Sequence, residues 1–99
     1  STESFYRSDN IFLILLQKEK EIGNIIQTFE KNLKVDRYSV ESLFNIGVGY
    51  MSQKHFERAV VYFRRYLELE SQDARGYFFI AICLLKGKPS RLNSVFRIR

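Results

Sequence analysis

The chain repeats its apolar pattern at an interval of 34 residues. Ile22, Ile25, Ile26, Phe29 and Leu33 are matched by Phe56, Ala59, Val60, Phe63 and Leu67. The i, i+3, i+4, i+7, i+11 spacing puts each set on one face of a helix, and Gln27, Glu30, Lys31 and Lys34 fall on the opposite face of the first. The same interval links Phe12, Ile46 and Ile80, then Leu16, Tyr50 and Leu84, then Leu13, Gly47 and Ala81. A shared period of this length predicts stacked helix-turn-helix units rather than one closed core.

Breaks in the pattern place the helix ends. Ser8 is the expected N-cap of a first helix that reaches about Lys20 and contains the apolar run Ile11 to Leu16. A second helix is expected from 21 to about 34, its first turn weakened by Gly23 on the order of 1 kcal/mol relative to alanine. After Asp36-Arg37-Tyr38, Ser39 caps a third helix ending near Gln53, with Glu41 favourably placed at the positive end of its dipole. A turn at Lys54-His55 leads to a fourth helix from about Phe56 to Glu70. Ser71-Gln72-Asp73 repeats the break, with Asp73 in the capping role of Ser39, and a fifth helix runs from about Ala74 to Lys86 until Gly87 and Pro89 stop it. Leu92, Val95 and Phe96 repeat the spacing of Phe56, Ala59 and Val60 at an offset of 36, which predicts a short sixth helix after a slip of two residues around Pro89.

Residues 40–73 read Leu43-x2-Ile46-Gly47-x2-Tyr50, then Ala59-x3-Phe63, then Ser71. This resembles the tetratricopeptide repeat (TPR), whose 34-residue unit carries W-x2-L-G-x2-Y, A-x3-F and a final proline. The resemblance covers residues 6–87 and implies an all-α fold, a short TPR-like helical solenoid of about two and a half helix-turn-helix repeats. Its expected units are a degenerate repeat at 6–39, the best match at 40–73, and a partial repeat with a basic tail at 74–99, all forming one domain. The chain starts without methionine and is read as a piece of a longer protein. Small residues are usual where the two helices of a TPR unit touch. Gly47, Ala59 and Ala81 conform while Leu13, Ile25 and Tyr66 do not, so the flanking units are expected to be splayed.

The same resemblance implies a function. First helices of successive TPR units line a concave groove that holds a peptide or a partner helix, and some members clamp a terminal carboxylate with Lys, Arg and Asn. The clamp positions fall here on Asn10, Ile14, Asn45, Arg75 and Phe79, of which only Asn45 and Arg75 keep the required chemistry. The remaining groove positions are apolar: Ile11, Ile14, Phe44, Val48, Met51, Phe78, Ile82 and Leu85. The expected role is therefore a non-enzymatic scaffold or adaptor whose groove binds an apolar helix or extended segment of another protein. Helix 74–86 is apolar nearly all round, from Tyr77 to Leu85, so self-association through it is a second reading.

Composition narrows these readings. A 45% hydrophobic content in 99 residues suffices for a packed core, while a single proline and five glycines leave little material for the turns of an all-β fold. The formal charge of +5 arises in the tail, where Lys86, Lys88, Arg91, Arg97 and Arg99 face no acidic residue, so the body is neutral. That distribution weighs against nucleic acid, including recognition of RNA by a related repeat of about 35 residues. It leaves contact of the tail with an anionic membrane as a weaker reading. Cys83 is the only cysteine, which excludes an internal disulfide and a site of several thiolates without fixing a compartment. His55 is the only histidine, and no nucleophile is set beside it by the sequence. Neither enzymatic activity, nor a cofactor, nor a metal is expected.

Overall fold

The computed structural model describes residues 2–87, with side chains for Ile11 and for residues 13–87. These residues form four helices: α1 (Thr2–Val35), α2 (Val40–Ser52), α3 (Phe56–Leu69) and α4 (Ala74–Gly87), with no strand among them. The chain is all-α. The expected sixth helix and most of the basic tail lie outside the described residues.

The first two expected helices are one. α1 runs unbroken through Lys20, so Ser8 lies inside a helix rather than capping one, and Gly23 lies in its interior. The reason is local. In the next unit the chain turns through Ser52-Gln53-Lys54-His55, where Lys54 adopts a left-handed φ of 64° and the His55 N–H closes the helix end on Tyr50 O at 2.9 Å. The residues 34 positions earlier are Lys18-Glu19-Lys20-Glu21, all strong helix formers, with Gln17 Nε2 donating to Glu21 Oε1 along the helix at 3.3 Å. Nothing there offers the backbone an alternative to the helix.

The remaining boundaries as far as the start of α4 agree with the pattern to within a residue or so, and α4 reaches Gly87, the last described residue. Ser39 caps α2, its Oγ accepting from the Ser42 N–H at 3.2 Å, and Gln53 is the C-cap that follows Ser52. Asp73 serves α4 the same way, Oδ1 accepting from the Arg75 N–H at 3.0 Å. The two inter-unit turns share their hydrogen bonds at the 34-residue interval. Asp36 N–H to Asn32 O (2.8 Å) and Ser39 N–H to Asp36 O (3.3 Å) recur as Glu70 N–H to Tyr66 O (2.8 Å) and Asp73 N–H to Glu70 O (3.2 Å).

Each helix packs against the next in sequence, α1 on α2, α2 on α3 and α3 on α4. Two buried clusters result. Ile26, Leu33, Leu43, Ile46, Tyr66 and Leu67 join the first three helices, and Ala59, Val60, Phe63 and Cys83 join the last two. Full burial of Leu43, Ile46 or Phe63 contributes about 1.5–3 kcal/mol each. Close approach is set by residues with little or no side chain. A Cβ on Gly47 would stand 2.7 Å from the Phe63 ring, and one on Gly49 2.6 Å from Ile26 Cγ1.

α1 is antiparallel to α2 only along its C-terminal half. Ile26 meets Gly49 and Gly23 lies beside Gln53 at the end of α2, so the N-terminal half of α1 extends past the end of α2. Along that overhang Ile11, Leu13, Ile14, Leu15 and Leu16 are 47–60% exposed.

Candidate functional site

The face shared by α2 and α4 is built around Phe44. Its ring centroid lies 5.0 Å from Tyr66, 5.8 Å from Phe63 and 5.8 Å from Phe79. Phe79 continues the aromatic run, 5.5 Å from Phe63 and 5.8 Å from Phe78. The clamp comparison gives Phe79 a failed position, and the all-round apolar pattern of helix 74–86 includes it. Its spacing of four from buried Cys83 was the signal that it also faces the core.

Arg75 closes the outer side of Phe44, its guanidinium carbon 4.7 Å from the ring centroid. The guanidinium also donates to Asp73, from Nη2 to Oδ2 at 2.8 Å and from Nε to Oδ1 at 3.1 Å. Tyr66 Oη donates to Asp73 Oδ2 at 2.5 Å. The Arg75 and Tyr66 hydrogen bonds hold the Asp73 carboxyl well below the usual carboxylate range, and that same bond, with burial, raises the Tyr66 phenol. Arg75 is thereby engaged within the chain. So is Asn45, whose Nδ2 donates to Glu41 O one turn back at 2.8 Å. The two residues that kept clamp chemistry are both occupied by intramolecular partners.

Beyond Phe44 the face opens. Val48 and Met51 on α2 are half-buried against the α3–α4 cluster. Met51 and Ile82 line a depression of about 490 Å³ together with Phe56, Ser52, Lys54 and Lys86. Phe78 at 61% exposure and Leu85 at 53% stand free on α4. The predicted groove residues Phe44, Asn45, Val48, Met51, Arg75, Phe78, Ile82 and Leu85 therefore lie on adjacent helices. Ile11 and Ile14 lie apart from them, on the α1 overhang, because α1 does not turn at Lys20. The lysines at the rim, Lys54 and Lys86, were missed, and the turn position of one and the helix-end position of the other were the only signals available.

Of the other singled-out residues, Cys83 is 1% exposed, and burial pushes its thiol pKa up, away from the reactive thiolate. His55 is exposed at the start of α3 with no side-chain capping bond, its ring 6.2 Å from that of Tyr50. Tyr50 Oη donates to Glu30 Oε1 of α1 at 2.7 Å, which with burial raises its pKa. Among the described residues no group of three His, Cys, Asp or Glu is placed to hold a metal, and no helix is long and apolar enough to cross a membrane. No protein-family model, curated protein or solved structure matches the chain.

Proposed function

We propose that this chain is a TPR-like helical repeat acting as a protein-protein interaction module, which holds an apolar helix or extended segment of another protein on the α2–α4 face. The observation that carries this reading is the exposure of Phe78 and Leu85 beside the Met51–Ile82 depression. Large apolar side chains grouped at a concavity mark binding surfaces more often than scattered ones do. The rim lysines suit a segment that carries an acidic side chain next to its apolar anchors, where each charge pair would steer docking more than it adds affinity. A peptide clamp for a free C-terminal carboxylate is disfavoured, since Arg75 and Asn45 are already hydrogen-bonded.

Phe78→Glu combined with Leu85→Glu tests the proposal, because both side chains are exposed and the helices keep their cores. Capture of a protein partner by the original chain and its loss in the double variant, with unchanged helicity, is the expected result. Equal capture by both would remove the α2–α4 face from consideration.

A further inference from the structure

One flank of α3 carries arginines laid on tyrosine rings. Arg58, Tyr62, Arg65 and Leu69 follow one another on α3 at steps of four, three and four, which sets them along one side of the helix. The guanidinium carbon of Arg58 lies 5.7 Å from the centroid of the Tyr50 ring, and that of Arg65 lies 5.6 Å from the Tyr62 ring. The two rings are themselves 5.7 Å apart and tilted by 33°. Because Tyr50 donates to Glu30 of α1, the row borders α1. At its C-terminal end Arg65 and Leu69 share a depression of about 290 Å³ with Arg37, Tyr38, Leu43 and Glu68, and Arg37 lies 5.9 Å from the Tyr38 ring.

Arg37, Arg58 and Arg65 are all exposed, and among the described residues no carboxylate forms an ion pair with any of them; the ion pair found there joins Arg75 to Asp73. A guanidinium held on a ring face rather than by an acid keeps its N–H donors available for a carboxylate, and the ring restricts the side chain before a ligand arrives. Two acids border the row. Glu30 already accepts from Tyr50, and Glu68 lines the depression without reaching Arg37 or Arg65.

We infer that this flank docks an acidic, extended segment of another protein, with carboxylates on Arg58 and Arg65 and an apolar side chain in the depression beside Leu69. Seven residues separate the two arginines, about 10.5 Å along the helix axis. Three residues of a polyproline II chain span about 9 Å and return to the same side, so acids at every third position meet both guanidinium groups. Tyr62 and Tyr38 supply the aromatic surface on which such chains dock. Glu30 and Glu68 would repel a continuous phosphate backbone, whereas a polypeptide can set neutral residues opposite them. The site is separate from the α2–α4 face and does not rest on that reading.

Fluorescence anisotropy tests the inference with a labelled peptide that has glutamate at every third position, prolines between and one leucine. Its glutamine counterpart and a single-stranded oligouridylate are the comparisons. The acidic peptide is expected to bind the 99-residue chain, and to bind less tightly as salt rises. Arg58→Glu with Arg65→Glu should weaken it by roughly tenfold or more with helicity unchanged, since both side chains are exposed. Glu68→Gln should tighten it several-fold by removing the acid from the depression. Phe78→Glu with Leu85→Glu should leave it unaltered, which separates this flank from the α2–α4 face. Loss of the peptide in that last variant would assign it to the other face and overturn the inference. So would equal binding of the glutamine peptide, equal binding by the double arginine variant, or no binding of the acidic peptide at all. Binding of the oligouridylate in place of the peptide would overturn it in favour of a nucleic-acid surface.

Discussion

Tyr66 on α3 donates to Asp73 at the start of α4, and the residues 34 positions earlier, Asn32 and Ser39, are joined by the same kind of link at 3.4 Å. Each link ties the end of one helix to the cap of the next but one turn of chain away. Its chemistry differs between units, while its place does not. Asn32 Nδ2 also donates to the buried Ser42 Oγ at 2.6 Å, satisfying that buried hydroxyl. Tyr66→Phe removes the bond but keeps the ring on Phe44. A loss of about 1–2 kcal/mol is expected from urea unfolding, with no change in helix content. A loss near zero would mean that solvent replaces Asp73 without penalty.

Asp73 sets a pH dependence whose sign follows from its lowered pKa. A carboxyl held below its unfolded value of about 3.9 contributes stability that is fully present above that value and is lost as pH falls toward the folded one. Acid titration of thermal stability should therefore show a decline beginning near pH 4 and continuing below it. Asp73→Asn should be less stable at neutral pH and flatter through this range. An identical acid limb in the variant would assign the decline to other carboxylates.

Gly49 tests how tightly α1 is docked. Gly49→Ala adds a Cβ at 2.6 Å from Ile26 Cγ1, overpacking that costs about 1–3 kcal/mol, less about 1 kcal/mol recovered from helix propensity. Ile26→Ala alone opens a cavity. Combined, the two changes should cost less than their sum, because the new methyl enters space the isoleucine vacated. Additive losses in denaturant unfolding would show that α1 shifts instead.

What could be read from the residues divides along physical lines. The starts of α2 and α4 followed from Ser39 and Asp73 because caps are local chemistry. The apolar period likewise identified Ile46, Val60 and Phe63 as core. The turn at Lys20 was inferred from the period, yet local propensity across Lys18 to Glu21 prevailed, since nothing there breaks a helix. At the candidate site, Phe78 and Leu85, read as groove residues, are both exposed. The pairing of Arg75 with Asp73 was not foreseen, because spacing of two residues is read as a loop and the bond depends on how the turn folds back.

Lys54 is the one non-glycine residue with positive φ among the described residues, at 64°. Left-handed backbone costs an L-residue about 1–2 kcal/mol, which glycine avoids. Lys54→Gly should therefore stabilise the chain by up to about 1 kcal/mol, or roughly 4–8 °C in Tm for a domain of this size. A lower Tm would indicate that the entropy of the unfolded glycine outweighs the relief.

Phe44 and Phe78 separate the folded core from the open face. Both carry the same ring and both were read as groove residues, but Phe44 is half-buried among Tyr66, Phe63 and Phe79 and is covered by Arg75, while Phe78 is 61% exposed and touches Phe79 alone among these rings. Truncating Phe44 to alanine removes contacts with both clusters and should cost about 2–4 kcal/mol, whereas Phe78→Ala should fall within about 0.5 kcal/mol of the original chain. Glutamate at position 44 would unfold the α2–α4 junction and make any loss of binding uninterpretable. This is why the binding test belongs on Phe78 and Leu85. Equal destabilisation by Phe44→Ala and Phe78→Ala in urea would show that the outer ring is covered in solution, and would move the open surface elsewhere.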